Sequence, residues 1–242
     1  MLTKIRNQLA PTGVLRAGIN LSNFLLVTGR TSSGDPEGVS ADMARELAAR
    51  LEVPVEFVLF DTPGELADAA VDDSWDIGNI GAEPERAKTI AFTAAYVEIE
   101  ATYLVPAGLA IQSIDAVDRE GIRIGVYGRS AYGLWLSDNI RHAELVRKDS
   151  HDACLDLLAE YKIDVLAGLR SRLVKDVAKF PGARVLEGQF TAVQQAIGTK
   201  PERELAVKYL AEFVEQAKAS GLVARLIEKH GVEGQLTVAP LV

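Results

Sequence analysis

A chain of 242 residues, 48% apolar and 25% charged, has ordinary globular composition and is long enough for one large or two smaller domains. Its formal net charge of −8 argues against a nucleic-acid partner, because phosphate binding draws on clustered Lys and Arg, and points instead to a small molecule. No apolar run reaches the ~18–20 residues that span a bilayer, so no membrane insertion is expected.

The first residues, MLTKIRNQLAPTG, carry no apolar signal core with a small-residue cleavage site. They leave two expectations open, work in the cytoplasm or a leader removed before this numbering begins. Leu15 to Ile19 then reads as a strand. Ala41 to Leu51 reads as a helix with Ala44, Leu47, Ala48 and Leu51 on one face, and Val55 to Phe60 as a second strand. Thr62-Pro63-Gly64-Glu65 has capping-box spacing with proline at the first helical position, and opens a helix through Leu66, Ala69 and Ala70. Asp76 to Ile80 is the third strand. Strands alternating with helices imply a mainly parallel sheet covered on both faces.

The stretch DIGNIGAEPERAKTIAFTAAY, Asp76 to Tyr96, carries the most chemistry. Gly78 and Gly81 frame Asn79 and Ile80, and glycine lets a ligand approach the backbone closely. Pro84 suits a first helical turn, Glu85 its positive end, and Arg86 follows. N–H groups at a helix start beside a guanidinium would clamp an anion such as a carboxylate. The alternative is that Arg86 pairs with Glu83, Glu85 or another surface acid.

The order then repeats. Gly121 to Val126 echoes Val14 to Ile19, and Ile163 to Gly168 echoes the Asp76 strand, which implies two similar α/β lobes. Between these strands lie a helix from Ala131 to Asn139 and another from Ser150, with Cys154, Leu157, Leu158 and Tyr161 at helical spacing. The chain is expected to return to the first lobe after a strand from Ala192 to Ile197. Thr199-Lys200-Pro201-Glu202 reads as a second capping box, opening a long helix that ends near Gly221. Cys154, the only cysteine, excludes an intramolecular disulfide and reads as a small core residue. His142, His151 and His230 show no metal-ligand spacing, and neither a metal nor another cofactor is expected.

The run Gly38 to Val58, the Asp76 to Tyr96 stretch, IEATYLV before the second lobe and GIRIGVYGRSAY at its opening together resemble the type II periplasmic solute-binding proteins of ABC importers, particularly the amino-acid-binding branch. The resemblance covers nearly the whole chain. It implies two Rossmann-like lobes of mainly parallel sheet joined by two crossing strands, with lobe 1 over 1–106 plus 195–242 and lobe 2 over 107–194. It also implies hinge closure over a ligand. Carried over residue by residue, Arg86 matches the arginine that takes the ligand's carboxylate, with Gly81 and Asn79 beside it. Arg129 and Ser130 match the second-lobe loop and helix start. Asn20, Asn23 and Phe24 fall where the family places polar and aromatic contacts, although a plain core or hinge contact accounts for Phe24 equally well.

The departures shape the ligand. Amino-acid binders usually carry Ser or Thr around Asn79 and Gly81, and an acid shortly after the Asp164 strand that pairs with the ligand's ammonium. This chain has Gly168-Leu169-Arg170 there. Leaving a desolvated ammonium unpaired costs on the order of several kcal/mol. The expectation is a small anionic solute, a di- or keto-carboxylate or an acidic amino-acid derivative, held by Arg86, Arg129 and Arg170. Arg129 and Arg170 could instead point to solvent or pair across lobes. Glu98 and Glu100 are read as solvated rim, or as partners for these arginines or for a ligand amine.

The binding reading is non-enzymatic, with an ABC permease as second partner, a monomeric state and a periplasmic location. Two alternatives stand beside it. One is a cyclohexadienyl dehydratase-like enzyme on the same fold with Glu98, Glu100 or Glu187 as acid; the other is a cytoplasmic ligand sensor.

Overall fold

The computed structural model describes residues 2–242, which divide into two compact units: Met1–Glu98 with Gln194–Val242, and Ile99–Val193. Unit 1 contains α1 (Leu2–Leu9), β1 (Leu15–Asn20), the short strands β2 (Gly29–Arg30) and β3 (Pro36–Glu37), α2 (Val39–Leu51), β4 (Val55–Phe60), α3 (Pro63–Asp68), β5 (Ile77–Gly81), β6 (Ala91–Phe92) and the start of β7 (Val97–Val105). Unit 2 takes the rest of β7, then β8 (Arg123–Tyr127), α4 (Ala131–Asn139), β9 (Glu144–Lys148), α5 (His151–Ala159), β10 (Val165–Leu169), α6 (Arg170–Asp176), β11 (Arg184–Val185) and the start of β12 (Thr191–Thr199). The chain then finishes unit 1 with the rest of β12, α7 (Glu204–Ala219), α8 (Leu222–Lys229) and β13 (Thr237–Val238). Strands β7 and β12 are thus the two crossings between the units.

Both units use one topology. In unit 1, β1 lies between β4 and β5 with both pairs parallel, and the returning strand β12 adds antiparallel to β5. In unit 2, β8 lies between β9 and β10 with both pairs parallel, and the incoming strand β7 adds antiparallel to β10. Each half is therefore a parallel α/β sheet with an antiparallel crossing strand along one edge, as the alternating pattern implies.

The sequence echo has a structural cause. Arg16 on β1 donates its backbone N–H and Nε to Asp76 Oδ2, both at 3.0 Å, and its Nη2 to Oδ1 at 2.9 Å. Its Nη1 reaches the carbonyl of Asp73, a residue at φ 55°. In unit 2, Arg123 on β8 donates its N–H and Nε to Asp164 Oδ2 at 2.8 and 2.9 Å, and Nη2 to Asp164 Oδ1 at 2.9 Å. Its Nη2 also reaches the carbonyl of Tyr161, at φ 57°. Each staple fastens the first strand to the left-handed turn that feeds the third. Bidentate geometry of this kind is what arginine supplies and lysine does not.

Glycines on the strands make room for large side chains. A Cβ on Gly18 or Gly78 would lie 3.2 Å from the ring of Trp75, which is fully buried and donates its indole N–H to the Leu66 carbonyl at 3.0 Å. At the start of α2, Gly38 adopts φ 145°, and a Cβ there would sit 2.1 Å from the Leu26 carbonyl oxygen, so only glycine fits this entry.

Several elements depart from the sequence reading. The box at Thr62 forms as expected, with Thr62 Oγ accepting from Glu65 N and Glu65 returning to Thr62 N. The box at Thr199 does not. Thr199 is buried inside β12 and its hydroxyl donates to the Asp76 carbonyl at 2.8 Å, so α7 starts later, with Arg203 at its N-cap. Helix α3 stops at Asp68, short of Ala69 and Ala70. Helices α1, α6 and α8 were not marked by the sequence. Cys154 is fully buried on α5, and burial pushes its thiol up to about 11, which makes it unreactive.

Candidate functional site

In unit 1 the residues of interest follow the C-terminal ends of β1 and β5, the edge where open α/β sheets present ligand-binding loops. All five residues of β5 are buried. The chain beyond it makes a single 3-10 turn, Arg86–Lys88, rather than the helix start expected from Pro84, and Ala87 N spends its hydrogen on the Glu83 carbonyl. One turn offers far less of an N–H cradle than a full helix. What remains is Arg86 itself, only 5% exposed, with Nη1 donating to the Gly81 carbonyl at 2.8 Å. A guanidinium held this deep is fixed in place and poorly hydrated, the condition under which it binds carboxylate most strongly.

Asn79 is 1% exposed, and neither its amide nitrogen nor its amide oxygen has a hydrogen-bond partner among the described residues. It lies on the strand between Ile19 of β1 and Ile197 of β12. Asn20 and Asn23 shape the turn after β1. Asn20 Oδ1 accepts from the Ser22 N–H and hydroxyl at 3.1 and 2.8 Å, and Asn23 Oδ1 accepts from Leu25 N at 3.2 Å. These are turn-forming bonds of the kind short amide side chains make to nearby backbone. Phe24, directly after Asn23, is half-buried.

In unit 2, Ser130 is the N-cap of α4. Its hydroxyl accepts from Gly133 N at 3.0 Å and donates to the Tyr127 carbonyl at 2.6 Å. Arg129, immediately before it, is exposed. Arg170, the first residue of α6, has all three guanidinium nitrogens engaged within its own unit: Nε with Glu100, Nη1 with the Leu186 carbonyl at 3.2 Å and Nη2 with the Gly188 carbonyl. Glu100 thus plays the compensating part that the sequence left as one option, and Arg170 is a brace for the 186–188 segment. Glu98 accepts from Gln194 Nε2 at 3.0 Å. Leu169 ends β10 half-buried, with no carboxylate at that position.

Two histidine–aspartate pairs were missed by the sequence reading, which tested the histidines only for metal spacing. In unit 1, Asp42 accepts from His230 Nε2 at 2.8 Å, Lys229 at 2.7 Å and Arg45 at 2.9 Å. Burial disfavours the Asp42 charge, but these donors outweigh it and hold the carboxyl below its usual range. In unit 2, Asp176 accepts from His151 at 2.8 Å, Arg172 at 3.0 Å and Lys179 at 2.8 Å. Its carboxyl is likewise lowered against burial, while burial lowers His151 in spite of the aspartate. Both pairs join helix ends and are accounted for by that role.

The sequence profile of the bacterial extracellular solute-binding proteins, family 3, matches residues 19–233, a span that holds every site residue named above. The chain belongs to that family. Its fold is the mixed α/β fold of type II periplasmic binding proteins. A mutant of ArgBP from T. maritima matches with a TM-score of 0.73 at 20% identity, over 95% of this chain and 100% of that one. A putative ABC-transporter binding component from Wolinella succinogenes, complexed with lysine, matches with a TM-score of 0.73 at 20% identity, over 90% and 95%. The ancestral amino acid-binding protein AncCDT-1, a precursor of cyclohexadienyl dehydratase, matches with a TM-score of 0.71 at 21% identity, over 94% and 98%. At these identities the likeness concerns the fold. No curated protein matches the sequence.

Proposed function

We propose that this solute-binding protein captures a small carboxylate-bearing solute, with Arg86 taking the carboxylate and Gly81 beside it. The observation that carries the reading is the buried guanidinium at the end of β5, anchored through the Gly81 carbonyl. Asn79, Asn20, Asn23, Phe24, Arg129 and Ser130 are the further candidates for ligand contact. Arg170 is a candidate as well, with its Nε, Nη1 and Nη2 engaged by Glu100 and by the Leu186 and Gly188 carbonyls. ArgBP has been solved with arginine bound, and the Wolinella succinogenes protein is complexed with lysine. This chain places Leu169 where an ammonium-pairing acid is expected, which favours a di- or keto-carboxylate or an acidic derivative over an ordinary zwitterion.

The role is binding rather than turnover. Glu98 and Glu100, two of the three acids considered for catalysis alongside Glu187, accept from Gln194 and Arg170. A monomer working outside the cytoplasm with an ABC permease follows the family pattern. The test is a thermal-shift screen at millimolar ligand over amino acids, dicarboxylates, keto acids and prephenate. A ligand about a hundredfold above its Kd adds roughly 2.7 kcal/mol, a clear shift. Carboxylates should stabilise the protein and Arg86→Ala should abolish the effect. Stabilisation by neutral amino acids alone would defeat the anion reading, and turnover of prephenate would defeat the binding one.

A further inference from the structure

The chain passes between the units at Glu98/Ile99 and again at Val193/Gln194. Glu98, the last unit 1 residue of the first crossing, accepts a hydrogen bond from Gln194, the first unit 1 residue of the second, at 3.0 Å. A third segment reaches the same place. Strand β13 pairs antiparallel with the start of β7, Thr237 opposite Glu98 and Val238 opposite Val97, and Ala239 N donates to the Tyr96 carbonyl at 3.1 Å.

Within residues 237–242, Ala239 is buried at 5% exposure and Val238 is half-buried, while Leu241 at 63% and Val242 at 97% are exposed, so apolar burial alone holds little of the segment. Polar anchors add to it. Lys218 has a side chain only 1% exposed; its ammonium donates to the Pro240 carbonyl at 2.6 Å and forms an ion pair with Glu215 Oε1 at 2.7 Å. Val242 N donates to the other oxygen of Glu215 at 3.1 Å. A buried ammonium is costly unless its donors are satisfied, so Lys218 and the segment depend on each other.

We propose that residues 237–242 form a strap that clamps the unit 1 ends of both crossings and so limits how freely the units move on one another. Units joined through narrow connections move relative to one another by default, with a few residues absorbing the change. Here Glu98 is held on its backbone by the strap and on its side chain by Gln194. Bending is thereby shifted to residues after 98 and before 194. Glu98 and Gln194 act as positioning residues and need not touch a ligand.

The test is double electron–electron resonance on the ligand-free full chain, with nitroxides on the exposed positions Lys208→Cys and Asp156→Cys, one in each unit. Cys154 is buried and stays unlabelled. A chain ending at Leu236, and separately Gln194→Leu, should each broaden the distance distribution at least twofold. Glu98→Gln, which keeps the acceptor oxygen, should leave it unchanged. An unchanged width in the shortened chain, with cooperative melting retained, would overturn the strap. If the shortened chain does not fold, Gln194→Leu decides alone, and an unchanged width there overturns the proposal. Broadening in Glu98→Gln would equally remove the role assigned to that hydrogen bond. No ligand enters the measurement, so its outcome is independent of which solute, if any, the protein captures.

Discussion

The twin staples predict unequal losses from equivalent mutations. Asp76 is fully buried and accepts from Arg16 N, Nε and Nη2 and from Arg203 Nη1 at 3.0 Å. Asp76→Ala would strand two guanidinium groups whose side chains are only 22% and 13% exposed. Breaking a buried ion pair from one side costs ~3–5 kcal/mol. At ~2–4 °C per kcal/mol for a domain of this size, the melting point of unit 1 should fall by roughly 6–20 °C. Asp164→Ala removes the same geometry from unit 2, but there the partners are 22% and 38% exposed and water replaces part of what is lost. Its effect should be clearly smaller. The two tryptophans separate the units, since Trp75 lies in unit 1 and Trp135 in unit 2. Urea unfolding followed by fluorescence, in Trp135→Phe for one unit and Trp75→Phe for the other, reads each loss. Equal losses, or a larger loss at Asp164, would refute the argument that burial sets the value of the staple.

Two further outcomes can be checked with the same instruments. Asp42, Asp73, Asp164 and Asp176 all titrate below their usual range in the fold. Their contribution is therefore complete above the unfolded value of ~3.9 and is lost as pH falls through the folded values. His151 is also lowered, so its contribution is complete above ~6.5 and fades earlier on acidification. The melting temperature against pH should show a shallow decline below ~6.5, absent in His151→Gln, before a steep one near pH 4. In the core of unit 2, a Cβ on Gly125 would lie 2.2 Å from Cδ1 of Ile163. Gly125→Ala should cost about 1–3 kcal/mol, and adding Ile163→Val, which deletes that Cδ1, should restore part of it in a double-mutant cycle.

The strand–helix alternation was legible because apolar periodicity and turn residues speak locally, and β4 and α4 fall where the pattern puts them. The two threonine boxes show where local signals end. Thr62 and Thr199 carry equivalent motifs, but Thr199 is claimed by β12 and by the Asp76 carbonyl, a partner far away in sequence. The 3-10 turn at Arg86 follows the same lesson: Pro84 and Glu85 suit a helix start, yet the chain must turn at once into β6. The bonds from Arg170 to Glu100, Leu186 and Gly188 were not legible either, because these partners lie 70, 16 and 18 residues away in sequence. The repeated Arg and Asp positions were visible as an echo, and their pairing explains why those residues recur.

Because unit 2 is contiguous and unit 1 is not, the order of synthesis inverts the usual N-terminal-first course of assembly. When residue 193 has left the ribosome, every strand of unit 2 is present. Unit 1 at that moment still lacks the segment of β12 that pairs with β5, the helix α7 that packs on α1, and the Arg203 partner of Asp76. The first ninety-eight residues must therefore wait with the edge of β5, a strand of buried residues, uncovered. A cell making this protein has that edge to shield until the last part of the chain arrives.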